Sequence, residues 1–462
     1  MGKYDFSRRK FIAGAAALGA AGVAGLNPLV SCSAGNNKNV SLVTGKPFKK
    51  PEELSVPPLL DAAPDGQPLK AGVIGCGGRG TGAALNWLAA GPNVTITALG
   101  DVFKDRIDSC REKIKNEKNV EIPEENCFIG FDSYQKVIDS GVDVVILATP
   151  PVFRPIHFEA AVNARKHVFM EKPVAIDPTG VRSVIASAKK AESLGLKIVT
   201  GTQRRHQKDY IEVYKQVATG TIGDIVSANA YWNGSKLWHR NPQADWSEME
   251  CMIRDWVNWL WLSGDHIVEQ HVHNLDVINW FTGNYPAKAV GFGSRQRRVT
   301  GDQYDNFSVD FVYDNGMHMH SMCRQINGCE NNVSEWIRGT KGSTNCQNKI
   351  FDLAGNELYS YAYPVNEKGE PGKSVAISPY IQEHIDLVTC IRQDKPVNEA
   401  EATALSCMTA IMGRVSAYTG KMVTLEEMMN SDLKLGPDTF VMGDVGIMKN
   451  VVIPVPGEAP KE

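Results

Sequence analysis

Three groups of residues have the types and spacing to do chemistry. The first is Gly75-Cys76-Gly77-Gly78-Arg79-Gly80, which follows a short apolar run at 71–74 and precedes a helical stretch at 81–90. A strand, a glycine turn and a helix in this order cradle a dinucleotide pyrophosphate. Gly75 permits the tight turn, Gly77 the approach of backbone to phosphate and Gly80 the packing of helix on strand, with Gly78 and Arg79 completing the loop. The helix N-terminus adds unpaired N–H groups and partial positive charge. A second strand, 94–99, leads to Asp101, 21 residues beyond Gly80. A carboxylate there accepts hydrogen bonds from both ribose hydroxyls and repels a 2′-phosphate, which favours NAD; Lys104 and Arg106 keep NADP open as the alternative.

The second group, Glu171-Lys172-Pro173, ends a predicted strand at 167–170. An ammonium beside a reacting hydroxyl stabilises developing alkoxide charge, whereas the plain reading of Lys172 is a lysine at a strand end. The third group lies in the run from Gly264 to Asp276. Helical spacing predicts Glu269 and His273 on one face, four residues apart, with His266 and Asp276 three residues away on the same side. A histidine with its unperturbed pKa of about 6.5 takes a hydroxyl proton near neutrality. Two simpler readings compete: His266 and His271 as core or supporting histidines, and a metal held by His266, Glu269 and His273. No second helix offers a matching ligand pair, so no metal is assigned.

Arg204, Arg205 and His206 follow the strand that ends at Gly201, and either contact substrate or bridge two domains. Six of nine tryptophans fall between Trp232 and Trp261. Trp256 and Trp259 have the spacing of core residues, while Trp238, next to His239 in a polar loop, suits the apolar face of a pyranose ring.

The elements that must position these groups alternate. An apolar run at 142–148 has parallel-strand character and closes on Thr149-Pro150; a helix at 155–165, the strand at 167–170, a helix at 177–194 and a strand at 197–200 follow. Such repetition predicts an α/β fold with a doubly wound parallel Rossmann sheet, whose ligand lies at the carboxyl ends of the strands. Thr149, Pro150, Glu171 and Lys172 sit at those ends and are candidate cofactor contacts. Further on, 224–232, 305–313 and 317–324 read as antiparallel strands, the last two joined by the turn Asp314-Asn315-Gly316. Helices at 381–393 and 400–419 would cover one face of that sheet.

The run Glu159-Ala160-Ala161 through Lys166-His167-Val168-Phe169-Met170-Glu171-Lys172-Pro173 resembles the hallmark segment of the Gfo/Idh/MocA oxidoreductases, the glucose-fructose oxidoreductase and inositol dehydrogenase type. The resemblance covers about residues 70 to 430. It implies that Lys172 projects toward the nicotinamide and the reacting hydroxyl, and that a cis bond precedes Pro173. It also implies that His273 accepts the proton, positioned by Glu269. Glu269 stands in place of the usual Asp and is one methylene longer, and His271 stands where glycine is common. The implied C-terminal domain is α+β, with an open, mostly antiparallel sheet serving substrate binding and subunit contact, hence a homo-oligomer.

At 462 residues the chain exceeds one hydrophobic core, and 43% hydrophobic with 22% charged residues is the composition of a globular protein. Lys3, Arg8, Arg9 and Lys10 against Asp5 leave the N-terminus positive, so the rest is more acidic than the net charge of -3; no Lys/Arg run marks a nucleic-acid site. Ser7-Arg8-Arg9-Lys10-Phe11 has the form of a twin-arginine export signal, against a general secretory signal as the alternative. Leu29-Val30-Ser31-Cys32 resembles a lipobox, so Cys32 would carry a lipid anchor, against an ordinary cleavage site. The other nine cysteines show no C-x-x-C pair and no disulfide framework.

The expected layout is therefore an export signal at 1–31, a Pro-rich tether at 32–69, an NAD-binding domain at 70–201, a substrate domain at 202–430 and an extension at 431–462. The expected protein is a periplasmic, membrane-anchored lipoprotein that oxidises a secondary hydroxyl of a sugar or glycoside, at C3 in a glycoside, with tightly held NAD. Arg204, Arg205, Trp238, His271 and Asp276 are its candidate substrate contacts. An NAD-dependent glycoside hydrolase and a non-catalytic sugar-binding lipoprotein are the competing readings.

Overall fold

The computed structural model describes residues 48–457 except 366–368, 371 and 373. The export signal and Cys32 lie outside the described residues. Six strands form the first sheet: β1 (Leu69–Ile74), β2 (Val94–Asp101), β3 (Cys127–Ile129), β4 (Val144–Leu147), β5 (His167–Met170) and β6 (Ile198–Thr200). Their order, β3-β2-β1-β4-β5-β6, is all parallel and reverses between β1 and β4, which opens a crevice at that point. Every residue of β4 is buried, as a strand covered on both faces must be. The intervening helices are α1 (Gly78–Trp87), α2 (Lys104–Lys118), α3 (Ser133–Asp139), α4 (Arg154–Asn163) and α5 (Pro178–Ser193). Asp177 starts α5 by accepting the Gly180 N–H at 2.7 Å, with Pro178 at the first helical position.

After α6 (Lys208–Ala218) comes β7 (Ile225–Gly234) and a helical run: α7 (Glu248–Arg254), α8 (Leu260–Ser263), α9 (His266–Glu269) and α10 (Val272–Thr282). The second sheet adds β8 (Lys288–Ser294), β9 (Asn306–Val312), β10 (His318–Gln325), β11 (Asn332–Gly339), β12 (Gly342–Thr344), β13 (Lys349–Asp352), β14 (Glu357–Ser360) and β15 (Val423–Thr424). Its nine strands run in the order β14-β13-β12-β11-β7-β10-β9-β8-β15, antiparallel except for β7 with β10. Alternate residues of β9 are buried, so one face packs and the other does not. Gly316, at φ +80°, makes the turn between β9 and β10. Both the doubly wound sheet and the mostly antiparallel second sheet match the expected fold class.

Two expectations need correction. Helix α11 (Pro379–Arg392) covers the first sheet, not the second: Ile385, Leu387 and Val388 pack with Val144, Ile146 and Phe169, and Asn398 bridges to Ile198 beside β6. Helix α12 (Ala400–Thr419) does cover the second sheet, with Met408 and Ile411 in the same core as Phe311 and Met319. The described part of the tether is docked rather than free. Leu59 N–H donates to Asp386 at 2.9 Å, Gln382 donates to the Leu60 carbonyl at 3.0 Å, and Ala63 is buried. Residues 431–457 likewise lie against the body, with Phe440, Val445 and Ile447 packed on Met249, Trp259 and Trp261.

Candidate functional site

The crevice between β1 and β4 holds a cleft of about 430 Å³. Gly75, Gly77, Gly78, Arg79, Asp101, Thr149 and Pro150 all line it. Gly75 has φ +95°, and a Cβ there would stand 2.6 Å from the Ala148–Thr149 backbone. A Cβ on Gly80 would fall 1.7 Å from the Gly75 carbonyl oxygen, so α1 approaches the turn only because residue 80 is glycine. At Gly77 and Gly78 the space beyond Cα is open, and no side chain caps the start of α1. A cradle of this shape, with uncapped N–H groups aimed into it, fits a pyrophosphate. Asp101 accepts the Cys76 N–H at 2.7 Å and the Phe103 N–H at 3.0 Å, which leaves lone pairs of both oxygens for a diol. Burial pushes its carboxyl up, against the pull of those N–H groups and of Arg106.

Not every candidate cofactor contact points into the cleft. Arg79 pairs with buried Glu171 and lies 4.8 Å from the Tyr380 ring centre. Glu171 thus anchors Arg79 and does not line the cleft. Arg154, unforeseen from the sequence, is buried and donates to the Thr149 carbonyl at 2.6 Å and to the Pro173 carbonyl at 2.7 Å. It joins the ends of β4 and β5, and its loss of solvent pushes it down to about 10. His157, pushed down to about 3 by burial, stacks on Tyr134 at 4.4 Å and also lines the cleft.

The Lys172–Pro173 bond is cis. Lys172 Nζ donates to the Glu269 carbonyl and lies 3.1 Å from Glu269 Oε1, tying the end of β5 to α9 of the second domain. The expected unbroken helix through Glu269 and His273 is not formed. Its helical segments stop at Glu269 and resume at Val272, and among the described residues no hydrogen bond joins Glu269 to His273. His273 instead stacks on Trp232, ring centres 5.7 Å apart. Burial, with Lys172 and Arg204 nearby, pushes its imidazole well below the ordinary range, so at neutral pH it is an uncharged base. His266 is buried, and no group of three His, Cys, Asp or Glu among the described residues is arranged to hold a metal ion.

Four of the five candidate substrate contacts are taken up by the scaffold. Arg204 pairs with buried Glu335 at 2.6 Å and spreads over Trp232, so it supports the ring that supports His273. Arg205 and Asp276 form a two-pronged buried pair, 2.8 Å at each bond. His271 bonds Ser321 at 2.7 Å and is held near 3 by burial. His206, beside them in sequence, sits between Asp386 at 2.8 Å and Glu399 at 3.0 Å and is pushed well above its ordinary range. Trp238 is exposed, but it lines the dinucleotide cleft with Arg240, Arg254 and Trp256, and Lys172 is not part of that lining. Trp256 therefore belongs to the cleft, while Trp259 is core as expected. The tryptophan cluster was the available signal for this wall; its side of the molecule was not readable.

Residues 69–197 match the model of an oxidoreductase family with an NAD-binding Rossmann fold, and 210–345 match the GFO/IDH/MocA C-terminal domain, together more than half of the chain. The chain is 31% identical over 226 residues to a myo-inositol 2-dehydrogenase of Thermotoga maritima, covering 49% of this chain and 58% of that protein. It is 25% identical over 260 residues to a glycosyl hydrolase family 109 protein of Streptomyces coelicolor, covering 53% and 52%. The chain thus spans little more than half the length of these curated relatives. A scyllo-inositol dehydrogenase from Lactobacillus casei, solved with NAD(H) and scyllo-inositol, superposes at TM-score 0.57 with 19% identity, over 78% of this chain and 99% of that one. At that identity the likeness shows the fold.

Proposed function

From the membership of this chain in the Gfo/Idh/MocA oxidoreductase family we propose that it is an NAD-dependent enzyme oxidising a secondary ring hydroxyl of a sugar, polyol or glycoside, at C3 where the substrate is a glycoside. The observation that carries the reading is Lys172, held by Glu269 at the end of β5, in the same domain junction as uncharged His273. The bound nicotinamide supplies the two-electron oxidant. His273 takes the hydroxyl proton on a ring nitrogen, and Trp232 fixes the plane of that ring. Lys172 stabilises the oxygen as charge develops, and Glu269 aims the ammonium. Arg154 fixes the two strand ends on which this geometry depends.

The twin-arginine segment and Cys32 support export of the folded protein and lipid anchoring outside the cytoplasm. Free NAD is scarce there, so a tightly held cofactor accords with that location. Cys32→Ser should release the protein from membranes without blocking export; an unchanged membrane fraction would overturn the anchor. The similarity to a family 109 glycosyl hydrolase favours one second reading, transient oxidation followed by elimination of the aglycone. Incubation with a panel of inositols, sugars and glycosides separates the two: a keto product with reduced cofactor supports the dehydrogenase, and free aglycone without net reduction supports the hydrolase.

A further inference from the structure

The dinucleotide cleft has a second wall that the first domain does not supply. Trp238, Arg240, Arg254 and Trp256 line it from the second domain, facing Gly77 and Asp101. Arg254 links the two sides. It grips Asp105 of α2 through two bonds of 2.9 and 3.1 Å, bonds Glu250 at 2.7 Å, and lies 3.9 Å over the ring of Phe103, two residues past Asp101. The loop that carries Trp238 and Arg240 is fixed from behind. Asp255 accepts the Arg240 N–H at 2.7 Å and Asn258 at 2.8 Å, and Asn258 also donates to the Trp238 carbonyl at 3.2 Å.

This wall is in turn strapped by the C-terminal segment. The Glu248 carboxylate, at the start of α7, accepts the Val445 N–H at 2.6 Å and also those of Gly446 and Met448. Met249 N–H donates to the Gly443 carbonyl at 3.0 Å. Phe440 packs 4.7 Å from Phe153, a residue that itself lines the cleft, and 6.3 Å from Trp261.

We infer that residues 235–256, held down by 440–448, form a cover that encloses the adenosine end of the dinucleotide and retains it as a resident cofactor. The strand-end crevice alone binds a dinucleotide from an open side. Here that side is closed by aromatic and guanidinium faces, and release requires the cover to swing away from α2. Such a cover acts on the rate of loss, because the contacts it adds must all part before the ligand leaves. The inference rests on the reading of this cleft as the NAD site.

The test is the exchange of NAD carried by the purified full chain, chased with isotopically labelled NAD, in the wild type and in Asp105→Asn, Arg254→Gln and Phe440→Ala. Asp105 is exposed, so its variant leaves the core undisturbed. The wild type should keep its NAD through gel filtration, and Arg254→Gln and Phe440→Ala should exchange about tenfold faster or more, with Asp105→Asn intermediate. Exchange at the wild-type rate in all three variants, or loss of NAD from the wild type within seconds, would overturn the cover. A wild type that binds no NAD at any concentration would overturn the NAD site itself, a result distinct from fast exchange.

Discussion

Lys172 and Glu269 hold each other across the junction of the two domains, with Nζ 3.1 Å from Oε1 and a second bond to the Glu269 carbonyl. Both side chains are nearly buried, at 13% and 12% exposure, so the pair is not a screened surface contact. The carboxylate therefore orients the ammonium rather than His273. Lys172→Ala should retain NAD and lose roughly a hundredfold or more in the oxidation step, while Glu269→Gln, which keeps a hydrogen-bonding group, should lose less. Single-turnover absorbance at equal NAD occupancy checks the order; equal losses would place Glu269 in a different role.

The state of His273 makes a pH prediction. Its folded-state pKa lies well below 6.5, so the unprotonated base persists as pH falls through the range where an exposed histidine charges. The acid limb of the oxidation step assigned to this residue should fall below pH 6.5, and rate profiles from about pH 5 to 9 would show it. A half-loss at pH 6.5 to 7 that disappears in His273→Gln would contradict the assignment.

Arg205 and Asp276 stand in the scaffold. Breaking a buried two-pronged pair strands one charge, so Arg205→Leu should lower stability by about 3–5 kcal/mol. Urea unfolding measures this. An unaltered midpoint with a raised KM would return Arg205 to the substrate.

How much of this was legible in the sequence depends on how local the cause is. The glycine turn was readable because its demands are steric and lie within six residues, and Gly80 meets Gly75 where that argument puts it. The parallel strands were readable from apolar runs such as 144–147. The relation of Glu269 to His273 was not, because helical spacing presumes a continuous helix and the segments break at Gln270 and His271. The pairings of Arg204 with Glu335 and of Arg205 with Asp276 span long stretches of chain, and no local pattern announces them. Trp238 read as a sugar platform on chemistry alone, since an aromatic face suits a sugar and an adenine equally; only the course of the loop after β7 brings it to the dinucleotide cleft.

Asp101 offers a direct check on cofactor choice. Asp101→Ala removes a diol acceptor and the charge that repels a 2′-phosphate, with Arg106 left lining the same cleft. Binding titrations should show NAD weakened far more than NADP. Equal loss for both would mean that the carboxylate serves the Cys76 and Phe103 N–H groups alone.

On the proposed function, Lys172 and His273 act on a ring hydroxyl while NAD stays in the cleft. The measurement that tests it most directly is a single turnover of the NAD-loaded chain with a panel of sugars, inositols and glycosides, reading cofactor absorbance and the mass of the product together. The expected result is one equivalent of reduced cofactor and one of a keto product two mass units lighter than the substrate, both lost in Lys172→Ala and His273→Ala with NAD still bound. Reduction at the wild-type rate in both variants, with the same keto product, would contradict it.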